Sequence, residues 1–232
     1  MDILNQLQGG LVVSCQPVDN GPMDRPDIIL AMAQAAVAGG AVGVRVEGAQ
    51  NVAAVRAGLT QPIIGIVKRD LADSPVRITP LLQDVKDLAA AGADVIAYDA
   101  TNRVRPHKPA EILQEILALN CLAMADCATV TDAMEAARGG AQILGSTLSG
   151  YTTETETAVT DPDLHLVAEL HELNRFVMAE GRYDTPTLAR RALEAGADCV
   201  TVGTVLTRLE VNTAKFQDAL QIRVENGDTQ FG

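Results

Sequence analysis

The chain has 232 residues, 47% of them hydrophobic, and a formal net charge of -12 with a pI near 4.6. That length can bury one large core and lies where barrels form single domains, so residues 1–232 are expected to be one domain. The acidic balance, with no cluster of Lys and Arg, argues against nucleic acid as a main partner, and no uninterrupted run of about 18 apolar residues is present to cross a membrane.

The start Met1-Asp2-Ile3-Leu4 lacks a basic region followed by an apolar stretch, and Cys15, Cys121, Cys127 and Cys199 lack metal-finger spacing. A cytoplasmic protein with reduced thiols is expected. Apolar runs of strand length recur at 10–16, 41–47, 62–69, 94–101, 121–127, 142–149, 175–182 and 199–207. Between and after them lie Ala-, Leu- and Glu-rich segments of helical periodicity, at 26–39, 50–58, 80–91, 108–119, 129–139, 162–173, 185–195 and 209–225. Eight alternating pairs predict an α/β fold, a parallel sheet closed as a single-domain (β/α)8 TIM barrel. Gly40-Ala41, Gly92-Ala93, Gly140-Ala141 and Gly196-Ala197 precede every second strand at intervals of about 50 residues, a quarter-barrel period that fits a glycine at each helix C-cap.

Side chains two apart on a strand share a face. The first run places Val12, Ser14 and Gln16 together, and the second gives Arg45 the parity of Ala41 and Gly43. The third, Pro62-Ile63-Ile64-Gly65-Ile66-Val67-Lys68-Arg69-Asp70, is a buried-strand pattern that stops at an amine, a guanidinium and a carboxylate. Lys68 shares the face of Ile64 and Ile66, Arg69 points to the helix layer, and Asp70 falls in the loop. Burial and nearby positive charge lower a lysine pKa from about 10.4, which makes a proton carrier or a Schiff-base former; a snorkelling side chain is the structural alternative. In the fourth unit Asp99 and Thr101 are candidates for binding hydroxyls.

The fifth run groups Leu122, Met124 and Asp126, though Asp126 also suits a cap for the helix near Thr129. After the sixth come Ser146-Thr147-Leu148-Ser149-Gly150-Tyr151-Thr152, again candidates for hydroxyls, and the polar stretch 152–160, expected to be a flexible lid or a plain surface loop. The seventh groups Phe176, Met178 and Glu180. Alternate strands build one interior layer of such a barrel, so Gln16, Lys68, Asp126 and Glu180 are expected to meet at the mouth, with Arg45 beside them. The last two strand-to-helix loops often carry a phosphate site; here they hold Gly181 and Arg182, and Gly203, Thr204 and Arg208. His107, His165 and His171 sit in or beside helices, and no Gly-x-Gly-x-x-Gly follows a strand, so no metal and no dinucleotide cofactor is expected.

These motifs together resemble the N-acetylmannosamine-6-phosphate 2-epimerase family, from about residue 9 to residue 215: Val13-Ser14-Cys15-Gln16-Pro17, Val44-Arg45-Val46-Glu47-Gly48, Ile64-Gly65-Ile66-Val67-Lys68-Arg69-Asp70, Asp99-Ala100-Thr101 with Arg103 and Arg105-Pro106, Met124-Ala125-Asp126-Cys127, Thr147-Leu148-Ser149-Gly150-Tyr151-Thr152 and Ala179-Glu180-Gly181-Arg182-Tyr183. The resemblance implies a phosphate-binding barrel, a homodimer, no cofactor, and interconversion of N-acetylmannosamine 6-phosphate and N-acetylglucosamine 6-phosphate in sialic acid or amino sugar catabolism. It implies Lys68 as the catalytic lysine and Glu180 as a second functional acid. Gln16, Arg45 and Asp126 match substrate-contacting positions, and Arg208 matches the arginine after strand eight. Thr204-Val205 departs from an expected Ser-Ala, which keeps the hydroxyl but adds bulk. Two rivals stay open, a Schiff-base aldolase using Lys68 and a sugar-phosphate-binding barrel without turnover. The tail 209–232, with Phe216 and Phe231, reads equally as the last barrel helix or a dimer contact.

Overall fold

Strands apolar on both faces must be covered on both faces, and this chain does so by wrapping its sheet around its own side chains. The computed structural model describes residues 2–156 and 160–225. Its strands β1 (Leu11–Cys15), β2 (Gly43–Glu47), β3 (Ile63–Ile66), β4 (Val95–Asp99), β5 (Leu122–Asp126), β6 (Ile143–Gly145), β7 (Phe176–Glu180) and β8 (Cys199–Val202) pair in parallel in sequence order. The pairing of β8 with β1 closes a TIM barrel. The helices are α1 (Ile3–Leu7), α2 (Pro26–Ala38), α3 (Ala49–Gly58), α4 (Leu82–Ala90), α5 (Pro109–Ala118), α6 (Val130–Gly139), α7 (Leu164–His171), α8 (Pro186–Glu194), α9 (Thr204–Thr207) and α10 (Leu209–Glu225).

Strand parity divides the interior into two cores. Val12, Ile64, Ile66, Val95, Ala97, Met124, Ile143, Phe176, Met178 and Cys199 fill the barrel, and Leu7 of α1 plugs its floor. Val13, Val44, Val46, Ile63, Ile96, Tyr98, Leu144 and Val200 face the helix layer. Gly43 permits the plug, because a Cβ there would lie 3.0 Å from Leu7 Cδ2.

The recurrent Gly-Ala pairs have a common physical role. Gly40, Gly92, Gly140 and Gly196 all adopt left-handed φ, between 93° and 106°, and the following alanine N–H donates to the carbonyl five residues back in each. This is a Schellman turn, which satisfies carbonyls at the helix end. Asn120, at φ 58°, supplies the same turn before β5. The residue after three of the pairs extends the repeat: Asp94, Gln142 and Asp198 accept the backbone N–H of Ile63, Ala123 and Val177, each at 2.8 Å. These side chains stitch β3, β5 and β7 to the strands that follow them.

The structure corrects several sequence-based boundaries. The third strand ends at Ile66, not Arg69, and the chain then makes a loop that returns through an antiparallel bridge between Lys68 and Ile78. The eighth strand ends at Val202, and Thr204–Thr207 is helical. Helix α10 packs mainly on α9 rather than closing the helix layer over β8 and β1. Leu209, Phe216 and Leu220 are 64%, 76% and 65% exposed. Phe231 lies outside the described residues, as do 157–159 of the expected lid. In the described part of that stretch, Thr152 is buried and Thr155 Oγ1 accepts the Gly150 N–H at 2.9 Å. Among the described residues, no helix is long and apolar enough to cross a membrane.

A side chain at Gly40 would meet no atom within 4 Å, so its substitution isolates the backbone term. Gly40→Ala is expected to lower stability by about 1–2 kcal/mol through the left-handed φ alone, which a thermal melt would register as a fall of about 2–8 °C.

Candidate active site

The C-terminal ends of the strands surround a cavity of about 780 Å³ that includes Ser14, Gln16, Arg45, Lys68, Glu180 and Arg208 in its lining. At its base lies Arg45, 1% exposed, projecting inward from the middle of β2. Nη1 and Nη2 donate to Asp126 Oδ1 and Oδ2 at 3.1 and 2.6 Å, a bidentate pair, and Nη1 also donates to Glu180 Oε2 at 2.7 Å. The Thr147 hydroxyl lies 2.7 Å from Asp126 Oδ1 and 3.4 Å from Glu180 Oε2. Gly145 makes the space for this cluster, since a Cβ would approach Met124 Cε to 2.7 Å and Asp126 Oδ1 to 3.2 Å.

One guanidinium serves two carboxylates here, and burial weighs on all three groups. Burial and the nearby Asp126 push the Glu180 carboxyl up to about 7, even with Arg45, Lys68 and the Thr147 hydroxyl favouring its anion. Asp126 and Glu180 hold Arg45 firmly charged against the cost of burial. Arg45 and Glu180 both line the cavity, Glu180 the more openly with 15% of its side chain exposed, whereas Asp126 is fully buried behind them and does not reach it.

Lys68 enters the same cavity from beyond the end of β3. Burial first, then the charges of Arg208 and Arg45, hold its ammonium below the ordinary lysine range; Asp19 and Glu47 act in the opposite sense. Its Nζ forms no ion pair within 4.0 Å among the described residues, whereas Arg69, on the opposite parity, turns to the helix layer and pairs with buried Asp84. The sequence parity therefore separates these two cations correctly.

Gln16 sits one residue past β1, with Nε2 donating to Ser14 Oγ at 2.7 Å and its backbone carbonyl accepting Arg208 Nε at 3.2 Å. Gly203 brings the ends of β8 and β1 together, its Cβ position lying only 3.1 Å from Ser14 Cβ. Thr204 begins α9, Val205 stands at the rim, and both line the cavity. Across the mouth, Gly181 and Arg182 both have positive φ, 106° and 62°. Arg182 is committed to its neighbours: Nη1 donates to the Ser149 carbonyl at 2.8 Å, Nε to the Asp161 carbonyl at 2.9 Å, and the guanidinium lies 5.2 Å from the Tyr151 ring centre.

Asp99 and Thr101 are not brought to the cavity. Asp99 is fully buried and accepts Arg103 Nη2 at 2.5 Å and the Thr101 hydroxyl at 2.6 Å, while Arg105 donates to its backbone carbonyl. Nor does Asp126 cap the following helix, whose N-terminus is held by Thr129 and Asp132. Among the cavity residues that escaped the sequence reading are Arg77, Ile78 and Lys215. Arg77 and Ile78 arrive on the return of the loop after Lys68, and Lys215 comes from α10. The alternation Val76-Arg77-Ile78-Thr79 between Pro75 and Pro80 was the available signal for the first two. Nothing local marked Lys215.

Comparison with known proteins identifies the family. A family model described as "NanE: Putative N-acetylmannosamine-6-phosphate epimerase" matches residues 29–222. The chain is 54% identical over 220 residues to the protein of Actinobacillus pleuropneumoniae serotype 5b (strain L20) named "Putative N-acetylmannosamine-6-phosphate 2-epimerase", covering 95% of each. It is 56% identical over 220 residues to the protein of the same name from Haemophilus ducreyi, again with 95% of each covered. The solved structure of the N-acetylmannosamine-6-phosphate 2-epimerase from Clostridium perfringens aligns with a TM-score of 0.90 at 35% identity, over 94% of this chain and 96% of that one. By sequence and by fold, this chain belongs to the N-acetylmannosamine-6-phosphate epimerase family.

Proposed function

We propose that this protein interconverts N-acetylmannosamine 6-phosphate and N-acetylglucosamine 6-phosphate by removing and returning the proton at C2. The observation that carries the reading is the pairing, in one cavity, of an amine held below its ordinary pKa with a carboxyl held above its own. Two groups shifted toward neutrality from opposite sides are what proton exchange on a weakly acidic carbon requires.

In the open-chain sugar, C2 lies next to the C1 aldehyde, and loss of its proton leaves an enolate. Neutral Lys68 takes that proton from one face, and protonation of the enolate on the other face gives the epimer, while Glu180 passes a proton to or from the ring oxygen during ring opening. Cationic and amide donors in a water-poor mouth stabilise the enolate oxygen. Gln16 and Arg45 hold the acetamido group and hydroxyls, and Asp126, buried behind Arg45, acts through the bidentate pair it forms with that guanidinium.

For the phosphate, the reading uses the backbone N–H groups at Gly181, Gly203 and Thr204 with the Arg208 side chain. Arg208 donates through Nε to the Gln16 carbonyl, and among the described residues its terminal nitrogens form no ion pair. Arg182, spent on two carbonyls, contributes by fixing the loop that Gly150 begins; a Cβ at Gly150 would come within 2.5 Å of Arg182 Nη1.

The reading extends to the assembly and the setting. A homodimer is supported by the uncovered Leu209, Phe216 and Leu220 on α10. A cytoplasmic role in sialic acid and amino sugar breakdown is supported by the family and by four free cysteines.

Turnover of N-acetylmannosamine 6-phosphate in deuterated water is expected to place deuterium at C2, read by NMR; product formed without it would sink the mechanism. Lys68→Met should keep the melting curve and abolish this exchange, and a borohydride-trapped Lys68 adduct would turn the reading toward an aldolase. Since Lys68 must be neutral to accept the proton, kcat/KM should rise with pH toward a midpoint below the ordinary lysine value. Arg208→Gln removes the largest charge that depresses Lys68, so it should move this midpoint to higher pH. For the dimer, Phe216→Asp combined with Leu220→Asp is expected to halve the mass measured by light scattering.

A further inference from the structure

The position of Lys68 is not set by its strand. β3 stops at Ile66, and Lys68 is held by groups from three other segments. Its backbone N–H donates to the side chain of Glu47, Oε1, at 3.1 Å, although Glu47 itself ends β2. The returning segment supplies the antiparallel bridge at Ile78, and Arg69 N–H donates to the Arg77 carbonyl at 2.9 Å. Thr79 then ties both to the barrel. Its N–H donates to the Val67 carbonyl at 2.7 Å, and its hydroxyl accepts the Val67 N–H at 3.3 Å and donates to the Ala97 carbonyl of β4 at 2.7 Å.

Both anchors are costly choices for a chain that needs only a stable loop. Thr79 is fully buried at φ 45°, a conformation that a β-branched residue adopts only under constraint. Elsewhere among the described residues, the non-glycine positions with positive φ are Asn20, Asn120 and Asn174, where the side chain suits the conformation, and Arg182 at the opposite rim of the same mouth. Glu47 is a carboxylate drawn out of water, where burial raises its pKa, to accept a bond that a backbone carbonyl could have taken. Strain and desolvation therefore converge on one residue's placement. Neither group lines the cavity.

We propose that Glu47 and Thr79 are positioning residues that fix Lys68 at the mouth. This rests on Lys68 being the proton carrier of the proposed epimerase, and it adds two residues that act through it. The charged groups acting on Lys68 are Arg45 and Glu47 from β2, Asp19 from the loop after β1, Glu180 from β7 and Arg208 from the junction of α9 and α10. Glu47 opposes the two arginines, so its removal carries a definite sign.

The test uses full-length variants and two readouts. The first is the pH dependence of Lys68 modification by an amine-reactive reagent, followed by peptide mass spectrometry, which needs no turnover. Glu47→Gln keeps an acceptor for the Lys68 N–H but loses the charge, and should shift the labelling midpoint to lower pH. The second is kcat against KM. Thr79→Val, lacking the hydroxyl, should lower kcat roughly ten- to a hundredfold with KM within about twofold, as a displaced reacting group does. Thr79→Ser should restore most of kcat. An unmoved midpoint in Glu47→Gln overturns the proposal, as does a Thr79→Val variant that changes melting temperature alone, or a Thr79→Ser variant that loses as much kcat as Thr79→Val. If the parent protein shows no exchange at C2 yet Glu47→Gln still moves the midpoint, the epimerase reading fails and the placement of Lys68 stands.

Discussion

A guanidinium sealed inside a barrel of aliphatic side chains constrains everything around it. Arg45 is among the largest fully buried side chains of the chain, and a cation there is tolerable only with anions at hydrogen-bond distance. Asp126 and Glu180 provide them from β5 and β7, on the far side of the barrel from β2, so one interaction spans the interior and fixes three strands in register at the mouth. Withdrawing one partner from such a pair costs about 3–5 kcal/mol. The same arrangement leaves one negative charge in excess, which adds to the larger effect of burial in making Glu180 retain its proton more readily than an ordinary glutamate.

The mouth thus combines two kinds of support. Arg45, Asp126 and Glu180 stand on strands and hold one another, and their geometry follows from barrel closure. Lys68 and Arg77 are carried on a loop that leaves the barrel after Ile66 and returns at Ile78, and Arg208 lies where α9 gives way to α10. Of the two groups with shifted proton equilibria, Glu180 stands on the rigid part, and Lys68 is on a segment tied down by a few specific hydrogen bonds.

Alternation of side chains made much of this legible in the sequence. Period two along eight apolar runs is enough to bring Arg45, Lys68 and Glu180 to one mouth, with Asp126 behind Arg45, and to send Arg69 outward. The Gly-Ala pairs were legible too, because a Schellman turn needs a left-handed residue and glycine takes that conformation without strain. What escaped depended on contacts distant in sequence. The stop of β3 at Ile66 is enforced by Glu47, Thr79 and Ala97, none of them adjacent in the chain to the apolar run that ends there. Arg182 reads as a free cation until Ser149 and Asp161 are seen to accept its hydrogens. The segment of helix α10 has the place in the sequence of a last barrel helix, and only the tertiary structure reveals that it packs mainly on α9.

The mouth gathers Arg45, Lys68, Arg77, Arg182, Arg208 and Lys215 on a molecule whose formal net charge is -12. An anion approaching from afar meets the sum, which repels it, and only near the rim does it meet the cations. At about 0.01 M salt the screening length is roughly 30 Å and the repulsion reaches well into solution; at about 0.15 M it shrinks to roughly 8 Å. Added salt therefore removes the barrier to encounter before it weakens the attraction inside. Capture of a phosphorylated ligand should accelerate as ionic strength rises through this range, the reverse of enzymes whose overall field draws their substrates in.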